Sequence, residues 1–172
     1  MLSIISLFRN ALPSALCRMV FCVLAVLLWS VGSAQAQTYT ISGSNGTTVT
    51  TTSGTFYDSG GSAGAYLDNE NYRVTFYSGS AAQIRLTFSS FATESGYDFL
   101  SIHDGSSTSA TKLGTWDGKN SPGTITGSGA YLTVTFTSDT SVTDTGWAAT
   151  ISTVAAATSD FGDYQGFATA SQ

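Results

Sequence analysis

Apolar and polar residues alternate with a period of two in short stretches along most of the chain, and turn residues interrupt them roughly every 8 to 12 positions. From Ala130 to Thr137 the pattern is clearest. Leu132, Val134 and Phe136 fall on one face, and Tyr131, Thr133 and Thr135 on the other, as successive side chains of a strand must. Ile84, Leu86 and Phe88 repeat it, as do Leu100 with Ile102 and Trp147 with Ile151. The pattern predicts strands over Tyr39 to Ser42, Thr47 to Thr52, Tyr72 to Tyr77, Gln83 to Phe88, Phe99 to His103, Lys112 to Trp116, Ala130 to Thr137 and Trp147 to Thr153. No stretch carries a helical period. Two sheets face to face would bury the apolar sets together, so the expected fold is all-β, an antiparallel β-sandwich. Asn45-Gly46, Gly60-Gly61, Gly105, Gly118 and Gly127-Ser128-Gly129 mark the turns; Asn45-Gly46 suits a hairpin with positive φ, and Asn45-Gly46-Thr47 also fits an N-glycosylation acceptor.

Both ends depart from this pattern. Residues 1–36 read as a signal peptide, with Arg9 and Arg18 before an apolar run from Met19 to Val31 and small residues at Ala34-Gln35-Ala36. That run is too short to span a bilayer as a helix, which takes roughly 20 residues, so no membrane span is expected after cleavage. The sandwich is expected over 37–153. Residues 154–172 lose the alternation and read as a flexible tail or linker, in which Phe161, Tyr164 and Phe167 could anchor a partner.

Cleavage changes the chemistry that remains. Cys17 and Cys22 lie within the leader, so the mature chain is expected to form neither a disulfide nor a thiolate metal site. Its cations are Arg73, Arg85, Lys112 and Lys119, against all eleven acids, a net charge of −7. Such a surface cannot neutralise a run of phosphates, which excludes nucleic acid as a partner. A metal cation or a neutral polar ligand suits it better.

Catalytic readings find little material. The single histidine, His103, sits in a strand and is expected to point outward, opposite Leu100 and Ile102. No serine lies in a nucleophile-elbow pattern, and zinc would need more His or Cys ligands. Glu94 and Asp98 are close enough in sequence to be a carboxylate pair, the one arrangement here that a glycosidase could use.

Residues 54 to 151 resemble a CUB domain through an ordered series of motifs. These are Gly54-Thr55-Phe56-Tyr57-Asp58-Ser59-Gly60-Gly61, Tyr66-Leu67-Asp68-Asn69-Glu70, Ile84-Arg85-Leu86-Thr87-Phe88 and Phe91-Ala92-Thr93-Glu94. Tyr97-Asp98-Phe99-Leu100-Ser101-Ile102-His103-Asp104-Gly105, Leu132-Thr133-Val134-Thr135-Phe136, Ser138-Asp139 and Gly146-Trp147-Ala148-Ala149 complete it. The likeness to the microbial, calcium-binding type implies a CUB-like jelly roll. It also implies a Ca2+ site in which Glu94, Asp98 and Asp139 bind the ion and Tyr66 supports them by hydrogen bonding. Calcium takes 6 to 8 hard oxygen ligands, and three carboxylates with loop carbonyls and water can supply them. The sequence departs from the family where Val142 replaces an asparagine ligand, leaving only a carbonyl, and where Thr52 and Tyr77 replace a cysteine pair.

The resemblance implies a secreted or cell-surface module, not an enzyme, that holds an extracellular protein through a basic side chain on calcium-ordered loops. Two alternatives are a carbohydrate-binding module with Trp116 as its platform, and a structural or adhesive domain of a surface protein. Cleavage after Ala36 predicts a mature N-terminus at Gln37 or within a residue or two. Mass spectrometry of the exported protein checks this, and a retained full-length form in the membrane would contradict it.

Overall fold

The computed structural model describes residues 37–156, and the expected leader, its two cysteines and Phe161, Tyr164 and Phe167 lie outside the described residues. Among the described residues ten strands form two five-stranded sheets. The first sheet holds, in spatial order, β1 (Thr38–Thr40), β3 (Gly54–Tyr57), β10 (Gly146–Val154), β5 (Gln83–Ala92) and β8 (Thr124–Thr126). The second holds β2 (Thr48–Thr50), β4 (Asn71–Tyr77), β9 (Tyr131–Thr137), β6 (Phe99–Asp104) and β7 (Thr111–Trp116). All eight expected strands are present with shifted ends. β3 and β8 were not anticipated, being only four and three residues long. Among the described residues no helix is long and apolar enough to cross a membrane.

The sheets are mixed rather than purely antiparallel, because β1 joins β3 and β2 joins β4 in parallel. For the same reason Asn45-Gly46 does not close a hairpin. Its turn, with Gly46 at φ 72°, carries the chain from one sheet to the other. There the Asn45 Oδ1 accepts the Arg73 amide at 3.0 Å.

Alternation buries Phe56, Val74, Phe76, Ile84, Leu86, Leu100, Ile102, Leu132, Val134, Phe136, Trp147 and Ile151 between the sheets. A bulge interrupts it where β5 pairs with β10: Ala149 faces Phe88, Ala148 faces Ser90, and Ser89 is the extra residue. The extra residue changes the parity of the strand, so Phe88 and Phe91 both face the core although three positions separate them. Thr93 then turns inward as well, which fixes how the chain enters the link to β6.

Register places three connections at one end of the sandwich. Tyr57 pairs with Ala148, Gly146 with Ala92, and both Asn71 and Phe99 with Thr137. The β3–β4, β5–β6 and β9–β10 connections therefore cross between the sheets side by side. Beneath them the buried Asp58 accepts hydrogen bonds from the amides of Trp147 (2.9 Å) and Gly60 (2.7 Å). Burial, outweighing these two bonds, raises the Asp58 pKa above its ordinary value. Gly146 has φ 71° and lies so close that a Cβ there would overlap the Asp58 carboxylate. Gly146→Ala is expected to cost about 2–4 kcal/mol through overpacking and left-handed strain. Gly129, with open space around it, should accept alanine within about 0.5 kcal/mol. Denaturant melts of the two variants check the contrast.

Candidate functional site

The three adjacent connections bring Glu94, Asp98 and Asp139 together, with one carboxylate oxygen from each within 4.8 Å of the others. Glu94 and Asp98 flank the β5–β6 link, and Asp139 opens the β9–β10 loop. Tyr66, from the β3–β4 loop, joins them underneath. Its ring is almost fully buried, edge-on to Phe136 at 4.9 Å, and Phe136 packs in turn on Trp147. An aromatic row thus runs from the core to the site and fixes the direction of the tyrosine hydroxyl.

That hydroxyl donates to Asp98 Oδ2 at 2.6 Å and accepts the Glu94 amide at 2.9 Å. Burial, then the bond to Asp98, push its pKa well above the ordinary tyrosine value, so it remains a donor at any physiological pH. Asp98 is fully buried. Its Oδ1 accepts the Asp139 amide at 2.9 Å, so the one carboxylate ties all three loops together.

Further bonds hold the loops from the sides. Ser138 Oγ donates to the Leu67 carbonyl (2.7 Å) and accepts the Glu70 amide (2.9 Å), while the Asn69 amide donates to the Asp139 carbonyl at 2.5 Å. Glu70 Oε1 accepts the Leu67 amide and closes the Tyr66–Glu70 turn. The short link Ser95-Gly96-Tyr97 is pinned by Asp117, whose Oδ2 accepts the Gly96 amide at 2.6 Å. Thr93 Oγ1 bridges the Asp98 carbonyl and the Gly118 amide. The sequence named Ser138 and Thr93 only as neighbours of Asp139 and Glu94, and Asp117 not at all; the Asp-Gly turn at Asp117-Gly118 was the available signal for it.

Two carboxylate oxygens nearby, Glu70 Oε2 and Glu94 Oε2, have no such partner, and the second belongs to the cluster. Glu94 Oε2 is buried and unpaired. Desolvation raises the Glu94 pKa first, and the charges of Asp139, Asp98 and Asp68 raise it further. Asp68 was not among the expected site acids. A buried acceptor facing other carboxylates is a costly arrangement that a cation or a proton relieves. The donor set fits a hard divalent cation: three carboxylates, one of them with an uncommitted buried oxygen, and among the described residues no nitrogen or sulfur ligand.

One other expectation needs correction. His103 does point away from Ile102, but it is buried rather than exposed, because the segment after β6 folds over it. Its Nδ1 lies 3.3 Å from the Ala110 carbonyl, and Thr133 Oγ1 donates to the Gly105 carbonyl. Trp116 is half-buried and packed against the core, with Gly114 beneath its ring. Asp104, outside the cluster, accepts the Ser128 amide at 2.8 Å. Val142 is exposed in the β9–β10 loop with φ 63°.

A family model described as CUB domain matches residues 44–151, well over half of the chain. Cubilin from Sus scrofa is 40% identical over 74 residues, which are 39% of this chain and 2% of that protein. Cubilin from Canis lupus familiaris is 38% identical over 78 residues, 41% of this chain and 2% of that protein. The chain therefore spans a small fraction of the length of these relatives. Among solved structures, the full extracellular region of zebrafish Gpr126/Adgrg6 superposes with a TM-score of 0.57 at 23% identity, over 65% of this chain and 15% of that one. The MASP-1 CUB2 domain bound to Ca2+ superposes with a TM-score of 0.51 at 23% identity, over 63% of this chain and 98% of that one. At these identities the structures establish the fold.

The raised Glu94 pKa has a definite sign. The folded state holds this proton at a pH where the unfolded chain has released it, so stability contributed by Glu94 falls as pH rises through the window above its ordinary value. In excess chelator, carbon NMR should show Glu94 titrating above a free glutamate, and Asp139→Asn should move it back down. A midpoint at or below the free value would contradict the geometry.

Proposed function

The chain belongs to the CUB domain family, whose members are typically extracellular protein-interaction modules, and on that premise we propose that it is a secreted, non-catalytic module whose Ca2+-ordered loops hold a protein partner. The observation that carries this reading is the buried, unpaired Glu94 Oε2 beside Asp98 and Asp139. The calcium-bound MASP-1 domain of the same fold supports the choice of ion. Glu94, Asp98 and Asp139 would bind it, and Tyr66 would orient Asp98 and the Glu94 backbone, as its two hydrogen bonds already do.

The chemistry of these residues favours binding over turnover. Asp98 is buried with both oxygens accepting hydrogen bonds, so it is a poor nucleophile toward a sugar. His103 is buried, and the partner of its Nδ1, the Ala110 carbonyl, is not a nucleophile. An ion at the cluster would offset the repulsion among the acids and leave the surrounding carboxylates to receive a cationic side chain from the partner by a charge-assisted hydrogen bond.

Extracellular calcium modules have dissociation constants of about 10⁻⁴ to 10⁻³ M. At about 2 mM calcium, mass action then gives roughly 0.6–1.8 kcal/mol of stabilisation, a rise in Tm of roughly 2–10 °C for a domain of this size. Thermal melting in calcium and in chelator measures it. Asp98→Ala should lose most of the rise. Asp104→Ala should melt lower in both conditions, for want of the Ser128 bond, yet keep the difference between them. An equal rise in Asp98→Ala and wild type would remove the site.

A further inference from the structure

Four large apolar side chains are exposed among the described residues, and three of them stand on the loops that carry the acids. Leu67 (68% exposed) follows Tyr66, Tyr97 (60%) precedes Asp98, and Val142 (62%) lies three positions beyond Asp139. The fourth, Leu113, sits on the edge strand β7. Isolated exposed apolar residues are ordinary on any surface, whereas one on each of three converging loops makes a rim.

Val142 adds a second observation. A β-branched residue at φ 63° is a backbone outlier, and asparagine or glycine would adopt that conformation at lower cost. Its side chain belongs to no part of the core. The fold thus tolerates both strain and an exposed isopropyl group at this point without any packing return. Such a combination is expected where the side chain meets something outside the molecule.

Charge decides what that is. Asp68, Glu94, Asp139 and Asp144 lie on the same connections above the buried Asp98, and the β3–β4, β5–β6 and β9–β10 connections contain no lysine or arginine. One divalent ion offsets only two of the five negative charges, so this end repels anionic lipid and acidic glycan. We infer that Leu67, Tyr97 and Val142 form the apolar rim of a docking surface for a protein segment in which a lysine or arginine is flanked by large apolar side chains. The cation meets the acidic centre and the flanks meet the rim. This inference rests on the calcium reading for the order of the three loops.

Selection of short displayed peptides on the exported protein at about 2 mM calcium tests it. The expected result is enrichment of Lys or Arg with Leu, Ile or Phe within two positions. A peptide of that consensus should bind on the order of tenfold more tightly than its serine-flanked counterpart, since the flanks bury apolar surface. Leu67→Ser with Tyr97→Ser, and separately Val142→Asn, should weaken binding while leaving the calcium-induced rise in Tm unchanged. Failure to enrich such peptides, indifference to the flanks, unaltered binding by the rim variants, or a preference for phosphatidylserine vesicles would each overturn it. Loss of the Tm rise in wild type would instead show that the calcium reading has failed, and the rim proposal with it.

Discussion

The carboxylate of Asp98, buried where three loops cross between the sheets, is the group on which the acidic end of the molecule depends. A carboxylate removed from water is costly unless its oxygens are satisfied, and here the Tyr66 hydroxyl and the Asp139 amide satisfy them. Those two donors come from different loops. Asp98 therefore positions Tyr66 and the start of the β9–β10 loop in a single arrangement, and through Tyr66 the Glu94 backbone as well. The other two acids of the cluster occupy their places because of this network rather than because of attraction to one another. They repel.

The sandwich supplies the rigidity that this arrangement requires. Tyr66 is held by Phe136 and Phe136 by Trp147, so the donor to Asp98 belongs mechanically to the core. The bulge at Ser89 lets both Phe88 and Phe91 pack inward and delivers Thr93 and Glu94 to the link at the correct parity. On the neighbouring connection, Asp58 binds the amide that opens β10, and only glycine fits beside it at position 146. Core, bulge and latch all bear on the same three loops.

Much of this was legible in the residues. Strict alternation exposes β4, β5, β6, β9 and β10, and the likeness to the CUB family, through Tyr66, Glu94, Asp98 and Ser138-Asp139, named the residues that the fold then brings together. What stayed hidden depends on long-range pairing. Strands as short as β3 and β8 carry too few residues for a period, and the parallel partners of β1 and β2 depend on which sheet each joins. His103 followed the alternation correctly but is covered by a segment seven residues further along. Trp116 could be assigned to neither core nor surface from sequence, since β7 is an edge strand with weak alternation. Asp68 and Asp117 act across loops that are distant in sequence, and the motif and the Asp-Gly turn in which they lie do not show what they face.

The central claim is that the cluster is a calcium site held in shape by Asp98 and Tyr66. A crystal structure of the protein grown in calcium, with anomalous data to identify the ion, tests it most directly. The account predicts one ion with oxygens of Glu94, Asp98 and Asp139 at about 2.3–2.6 Å, and the Tyr66 hydroxyl still bonded to Asp98. An ion held elsewhere, or a cluster that stays free of calcium with its carboxylates sharing protons, would contradict it.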